Sequence, residues 1–253
     1  MHSDRVLVFD VSGEYGHFRK FNTTTSPLTY SIPTRPAITG LIGAVMGIER
    51  ELSANKYADG VVPVSEIFPK ETSAIGVQIL RPVKKVKIAF NLLDTKKTPA
   101  SFFNIQQRTQ IEYELLKNPS FRIFINVNDG DLLQRIAERL ETNQSHFTPY
   151  LGLSQFTAIT RFVTITKLTS IPGNDYLPTL TAVNLANADP EEPIRFDRSS
   201  IFKYTAETMP VEMQRDRTVT EYAEVIVETY GRPVLVRSAN LYHAESFGNI
   251  LFL

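Results

Sequence analysis

Four histidines occur, His2, His17, His146 and His243, and there is no cysteine. They are scattered, without the i, i+4 spacing that sets two imidazoles on one helical face. Neither a zinc site nor thiolate chemistry is expected, and no cofactor is implied. His17 has the most reactive company, since in EYGHFRK it stands beside Tyr15, Arg19 and Lys20. An imidazole among cations, paired with a tyrosine hydroxyl from Tyr15 or Tyr30, has the parts of a metal-independent acid–base catalyst acting on a phosphodiester. The same residues equally suit a hydrogen-bonded turn. Asp129 and Asp131 in NDGD read as a turn and helix cap, not a metal pair.

Phosphate is also the natural target of the cations. The 253 residues carry 27 Lys+Arg and 27 Asp+Glu, a formal charge of zero. That balance argues against a protein that coats nucleic acid over its whole surface. The distribution is uneven, however. Ala74–Gln110 holds Arg81, Lys84, Lys85, Lys87, Lys96, Lys97 and Arg108 against Asp94 alone, a net +6 that leaves −6 for the rest. Such a block is either a track for a phosphate backbone or a projecting hairpin whose lysines protect its edges. Phe102, Phe103 and Tyr113 flank it and suit the stacking of unpaired bases. Phe9, Phe18, Phe21, Phe90, Phe121 and Phe124 fall in apolar patterns and are expected in the core.

The elements that must hold these groups follow from periodicity. Val6 to Val11 is a β-branched run that reads as a strand buried on both faces. In the loop Asn22–Pro36, Pro33 and Pro36 are expected to hold the Arg35 backbone extended. From Ala37 the spacing predicts a helix whose Gly40, Gly43, Ala44 and Gly47 form a small-residue surface for close packing. Its GLIGAVMG run lacks the Lys-Ser/Thr of a phosphate-binding loop, and its GxxG is a weak sign of RNA binding. Strands are predicted over Ala74–Leu80, Lys84–Leu93, Gln107–Leu115 and Phe121–Val127, the last two either as separate strands or as a hairpin joined by KNPS. A helix through Leu132, Leu133, Ile136, Ala137 and Leu140 and a strand over Ala158–Leu168 complete the set.

The order is β-α-β-β-α-β with a charged insertion, an α+β chain of ferredoxin-like (RRM-like) type. Residues 1–168 are expected to form that domain, with the insertion at about 91–120. Residues 169–253 carry Pro172, Pro178, Pro190, Pro193 and Pro210 and read as an irregular annex with short strands. Composition is ordinary for a globular protein, at 42% hydrophobic and 21% charged. MHSDR is no secretory signal and no apolar stretch reaches membrane-spanning length, so a cytoplasmic protein is expected.

Taken together, FDVSGEYGHFRKFNTTTSPLTYSIPTRPAITGLIGAVMGIERE, RTQIEYELLKNPSFRIFI and FTPYLGLSQF resemble, in order, the landmarks of the fifth CRISPR-associated protein family, most closely its subtype I-B branch. The resemblance implies a RAMP domain with a β-hairpin thumb. It implies a Cascade subunit that grips the 5′ handle of the crRNA, beside the backbone subunit and the large PAM-reading subunit, with target DNA near the PAM and no membrane partner. Sequence would then be read mainly by guide–target pairing.

The subtype I-C branch is an endoribonuclease using Tyr, Lys and His. This chain has no Lys-His pair around Gln106, Gln107 and Arg108, and no histidine between His17 and His146. A non-catalytic binder is therefore expected, with a processing endoribonuclease as the rival and a mainly structural wedge as the third reading. On the binder reading, Arg19, Lys20, Arg35, Lys84, Lys85, Lys96, Lys97 and Arg108 contact phosphate or sugar, while Gln106, Gln107 and Tyr30 read or stack bases.

Overall fold

The computed structural model describes residues 3–20, 27–52, 56–93, 108–171, 173 and 175–253. The chain opens with β1 (Arg5–Ser12) and the two-residue β2 (Tyr15–Gly16), then enters helix α1 (Arg35–Met46). The helix begins at Arg35, so the backbone there is helical and not extended. Thr34 caps it by accepting from the Ala37 amide at 3.4 Å, and Pro36 sits in the first turn, where its missing N–H costs nothing. Gly47 ends the helix in the left-handed region at φ 80°.

A single helical turn, α2 (Val64–Ile67), leads to β3 (Ser73–Ile79), β4 (Lys85–Leu93), β5 (Arg108–Lys117) and β6 (Ser120–Val127). Helix α3 (Gly130–Glu141), capped by Asp129, and β7 (Ile159–Ile171) follow. Beyond them come β8 (Leu177–Thr179), β9 (Val183–Asn184), β10 (Ile194–Arg195), β11 (Tyr204–Met213), β12 (Val219–Glu228), β13 (Val234–Val236), β14 (Leu241–Ala244) and β15 (Gly248–Ile250).

Among the described residues these strands form a nine-stranded sheet, β10-β13-β8-β15-β14-β7-β1-β6-β3, and two three-stranded sheets, β2-β5-β4 and β11-β12-β9. At the centre of the large sheet β7-β1-β6-β3 run antiparallel, with α1 between β1 and β3 in sequence and α3 between β6 and β7. Leu7, Phe9, Val11, Ile75, Val77, Ile123 and Ile125 share a core with Ile38, Ile42 and Val45 of α1 and Leu133, Ile136 and Leu140 of α3. Val6, Val8 and Phe124 bury the opposite face against Leu168, Ala244, Ile250 and Phe252. Both faces of β1 are thus covered by the chain itself, so Phe9 and, beside it on β6, Phe121 and Phe124 are packed rather than offered to bases.

KNPS does not close a hairpin. β5 pairs with β4 and β2, whereas β6 pairs with β1 and β3, so Asn118 (φ 50°) and Pro119 carry the chain from one sheet into another. The hairpin is β4–β5, and residues 94–107 between those strands lie outside the described residues. The proline-bearing segment from 169 is also more regular than its composition suggests. β11 and β12 pair over ten residues each, and Pro210 is accommodated where the register shifts between Pro210 and Glu212.

Asp10 ties the three central strands together. Its side chain faces Arg122 on β6 and Arg161 on β7, its direct ladder partners, with contacts of 2.8 and 2.7 Å. Burial opposes ionisation of Asp10, but hydrogen bonds from Arg122 and Arg161 outweigh it and hold the carboxyl below its ordinary range.

Candidate nucleic-acid interface

A cleft of about 630 Å³ opens between α1, residues 48–51 with Tyr57, the loop 150–153 and the tip of the β11–β12 hairpin. Gly40 and Ala44 of α1 line it. A Cβ added at Gly40 would have nothing within 4 Å, whereas one at Gly43 would meet Val64 Cγ2 at 2.6 Å. The small residues of the helix therefore serve two ends: Gly43 admits α2, and Gly40 keeps the cleft open.

Five arginines line the cleft, Arg19, Arg35, Arg50, Arg215 and Arg217, against Glu49, Glu51 and Glu212. Two arms bridge its mouth. The Tyr57 hydroxyl donates to the Arg215 carbonyl at 2.9 Å, the Arg215 guanidinium lies 5.3 Å from the Tyr57 ring, and Arg217 pairs with Glu51. Arg50, Tyr57, Tyr150, Arg215 and Arg217 escaped the sequence reading. The QRDRT turn between two strands was the legible signal for the last pair.

Tyr113 of β5 forms part of the wall, so the cleft meets the root of the β4–β5 hairpin. From there a row of rings runs out from buried His17 through half-buried neighbours: His17 to Tyr113 at 5.2 Å, Tyr113 to Phe90 at 5.0 Å, Phe90 to Phe156 at 6.5 Å, and Phe156 to Tyr15 at 5.9 Å. Phe90, expected in the core, belongs instead to this row. Its place on a two-sided hairpin leaves it half exposed.

Of the cations expected to meet RNA, Arg19 is exposed at the cleft and Lys84 is exposed at the start of the hairpin. Others are turned inward. Arg35 is 2% exposed, and its guanidinium donates to the carbonyls of Phe68 (2.9 Å), Ser73 (3.2 Å) and Val211 (3.3 Å), to Ser73 Oγ (2.8 Å) and to the Glu212 carboxylate (3.0 Å). A residue expected to be presented outward is a clamp joining α1, β3 and β11, with both terminal nitrogens of its buried guanidinium engaged and Nε left without a partner.

Glu207 on β11 does the same from the acidic side. Its side chain is fully buried and accepts from the Ser31 amide at 2.8 Å, and it draws in Lys20 at 2.9 Å and Lys85 at 3.6 Å. Lys85 also donates to the Thr29 carbonyl at 2.8 Å and approaches Glu114 at 3.4 Å. Tyr30 is 2% exposed, with its hydroxyl donating to the Thr208 carbonyl at 2.9 Å, so its ring is packed rather than offered to a base. Lys87 pairs with Glu112 at 3.9 Å across the hairpin. The block counted from Ala74 to Gln110 stops just short of Glu112 and Glu114, the acids that fold back onto it. Lys96, Lys97, Gln106, Gln107 and the side chain of Arg108 lie outside the described residues.

His17 is 2% exposed, and its Nδ1 donates to the Glu114 carbonyl at 2.8 Å, which leaves Nε2 buried without a partner. Burial, reinforced by Arg19, lowers its pKa against the pull of the Glu114 carbonyl, so the ring is neutral. Of the tyrosines near it, Tyr113 meets its ring at 5.2 Å, Tyr15 lies on Phe156 at 5.9 Å and the Tyr30 hydroxyl is engaged by the Thr208 carbonyl. Among the described residues, no three His, Asp or Glu side chains converge as a metal site, and no helix is long and apolar enough to cross a membrane.

Comparison with known proteins agrees with this picture at the level of family and fold. No curated relative matches the sequence at a significant level. A solved chain titled as a CRISPR RNA-guided surveillance complex superposes with a TM-score of 0.53 at 12% identity, over 92% of this chain and 91% of that one. A chain of a Type III-B Cmr-beta complex bound to cognate target RNA gives 0.47 at 12% identity, over 91% and 86%. A family model described as CRISPR-associated protein, of the Cas5d type, matches residues 6–228. With that match spanning most of its length, the chain belongs to the Cas5 family of CRISPR-associated proteins.

Proposed function

We propose that the chain is a non-catalytic subunit of a Cascade-type surveillance complex that binds and caps the 5′ handle of the crRNA, beside the backbone and large subunits. The β7-β1-β6-β3 quartet with α1 and α3 is read as its ferredoxin-like RAMP unit and β4–β5 as the thumb. Assignment to subtype I-B rests on the order of the sequence landmarks alone. The observation that carries the proposal is the arginine-lined cleft opening directly onto the aromatic root of the hairpin. Cations beside half-buried rings are what a single strand needs, since the cations meet phosphate and the rings meet unstacked bases.

Arg19, Arg50 and Lys84 would contact phosphate or sugar, and Tyr113 and Tyr150 would stack. Lys96, Lys97, Gln106, Gln107 and Arg108 remain proposed contacts on the strength of the sequence alone. Lys20, Tyr30, Arg35 and Lys85 act as positioning residues. The test is fluorescence anisotropy with handle RNA. Arg19→Ala combined with Arg50→Ala is expected to weaken binding about tenfold or more, in line with a few kcal/mol for two charged contacts. Unchanged affinity would sink the assignment.

A second reading, endoribonuclease, is favoured by the Cas5d character of the family model and by the unpartnered His17 Nε2 next to Tyr113. Incubation of repeat RNA with the protein in a chelator decides it: a specific product lost in His17→Ala would replace the binder reading.

A further inference from the structure

The tip of the β11–β12 hairpin carries two arginines that the handle reading does not use. The turn there is closed on itself: the Gln214 amide donates to the Thr218 carbonyl, the Arg217 amide to the Gln214 carbonyl and the Thr218 amide to Asp216 Oδ1, each at 2.9 Å. This closure puts Arg217 in the left-handed region, at φ 66°. That conformation suits glycine and is unfavourable for a residue with a Cβ. An arginine at a position that favours glycine points to a use for its side chain.

Both arginines line the cleft, and they are held differently. Arg215 is the anchor. Its carbonyl accepts from the Tyr57 hydroxyl at 2.9 Å, its guanidinium lies 5.3 Å from the Tyr57 ring centroid, and it approaches Glu66 at 3.8 Å. Arg217 pairs with Glu51, and the two sides of that pair are unlike: the acid side chain is 17% exposed, the arginine 61%. The carboxylate is set into the cleft wall, while most of the arginine stays open to an incoming anion.

We propose that Arg217 is a phosphate ligand of the cleft and that Glu51 is its place-holder, from which a backbone phosphate of single-stranded RNA takes over the guanidinium. The inference deepens the handle reading and rests on it. Carboxylate and phosphate both offer a guanidinium two acceptor oxygens side by side, so one fork can hold either. What decides between them is the setting. An ion pair with one exposed partner is screened by water and salt, and it holds its arginine weakly.

A strand gripped by Arg19, Arg50 and Lys84, by contrast, delivers its next phosphate at high local concentration. Neutralising that phosphate also releases a condensed counterion, which leaving Glu51 does not cost. The exchange therefore runs toward RNA once the other contacts are made, and back to Glu51 when they are lost. In the free chain the pair keeps this part of the mouth neutral, which discourages isolated anions while a tethered strand can still displace the acid.

Fluorescence anisotropy of the full chain reads the exchange, with labelled handle RNA and oligouridine of equal length as probes. Glu51→Gln keeps the shape of the side chain and removes its charge, and should tighten binding about threefold. Arg217→Gly suits the left-handed backbone and removes the guanidinium, and should weaken binding about fivefold and lower the magnitude of the salt slope by about 0.7. Arg217→Lys retains a charge and should recover part of that loss, which an effect through the turn alone would not give. Opposite signs at the two positions separate an exchange from a merely structural pair, whose loss acts in the same direction from either side.

Binding that is weakened or unchanged in Glu51→Gln, or unchanged in Arg217→Gly, overturns the proposal. The handle reading then stands if Arg19→Ala combined with Arg50→Ala still lowers affinity. Opposite signs on oligouridine with no preference for the handle keep the exchange and overturn only the handle assignment. Binding of neither probe by the unsubstituted chain overturns both.

Discussion

At the scale of single residues, the buried charges govern what can be expected of substitution. Arg35 satisfies five acceptors contributed by Phe68, Ser73, Val211 and Glu212. Arg35→Ala should cost about 3–5 kcal/mol of folding stability by urea denaturation, because Glu212 and the carbonyls lose their donor. Arg35→Lys should recover little of it, since an ammonium cannot reproduce the planar fork. His17 gives a pH signature. Its folded pKa is lowered, so the unfolded chain takes up the proton first as pH falls below about 6.5, and stability declines from there toward the folded value. His17→Gln should flatten that limb of a plot of urea midpoint against pH. Asp10 acts at lower pH. Its folded pKa is also lowered, so the stability that it contributes is present above about pH 4 and is lost as pH falls through the folded value. Asp10→Asn should remove that acid limb and leave the His17 limb in place.

At the scale of elements, α1 separates packing from opening. Gly40 and Gly43 are one turn apart and equally poor helix formers, yet their surroundings differ. Gly43→Ala forces a methyl against Val64, a β-branched side chain with little freedom to yield, and should cost about 1–3 kcal/mol. Gly40→Ala meets nothing and should gain about 0.5–1 kcal/mol from helix propensity. Thermal melts of the two variants give opposite signs if α1 is packed as described. Gly40→Leu should leave stability intact while weakening RNA binding, because its side chain fills the cleft. The spacing of the glycines showed that this helix packs closely, but a one-dimensional pattern does not say which glycine faces a neighbour and which faces space.

At the scale of the whole molecule, zero net charge conceals internal pairing as well as uneven distribution. Lys20, Arg35 and Lys85 are consumed by Glu207, Glu212 and Glu114, which leaves few cations for phosphate. Handle binding should accordingly show a shallow salt dependence, a slope of about −2 to −3 in log K against log salt for three or four phosphates. Lys84→Ala should lower its magnitude by about 0.7. A slope near −10 would show that the whole surface, not the cleft and hairpin root, holds the RNA.

Local pattern sufficed for the β-branched strand at Val6–Val11, the Asp129 cap, the helix after it and the alternation of Lys84–Leu93, because each is decided by neighbours within one turn or one pleat. The family resemblance was likewise carried by contiguous residues. What the sequence could not decide was the direction in which a charge points. Arg35, Lys20 and Lys85 look exposed in one dimension because lysine and arginine usually are, and Glu207 and Glu212 lie some 120 or more positions away in a segment read as irregular. Only when β11 is laid across α1 do those acids come within 3.6 Å of the cations and outweigh water as their partner. The cleft has the same origin. Its walls come from residues as far apart in sequence as Arg19, Gly40, Tyr113, Tyr150 and Arg217, and its openness depends on Gly40 meeting nothing, a property of the packed molecule that no spacing of residues contains.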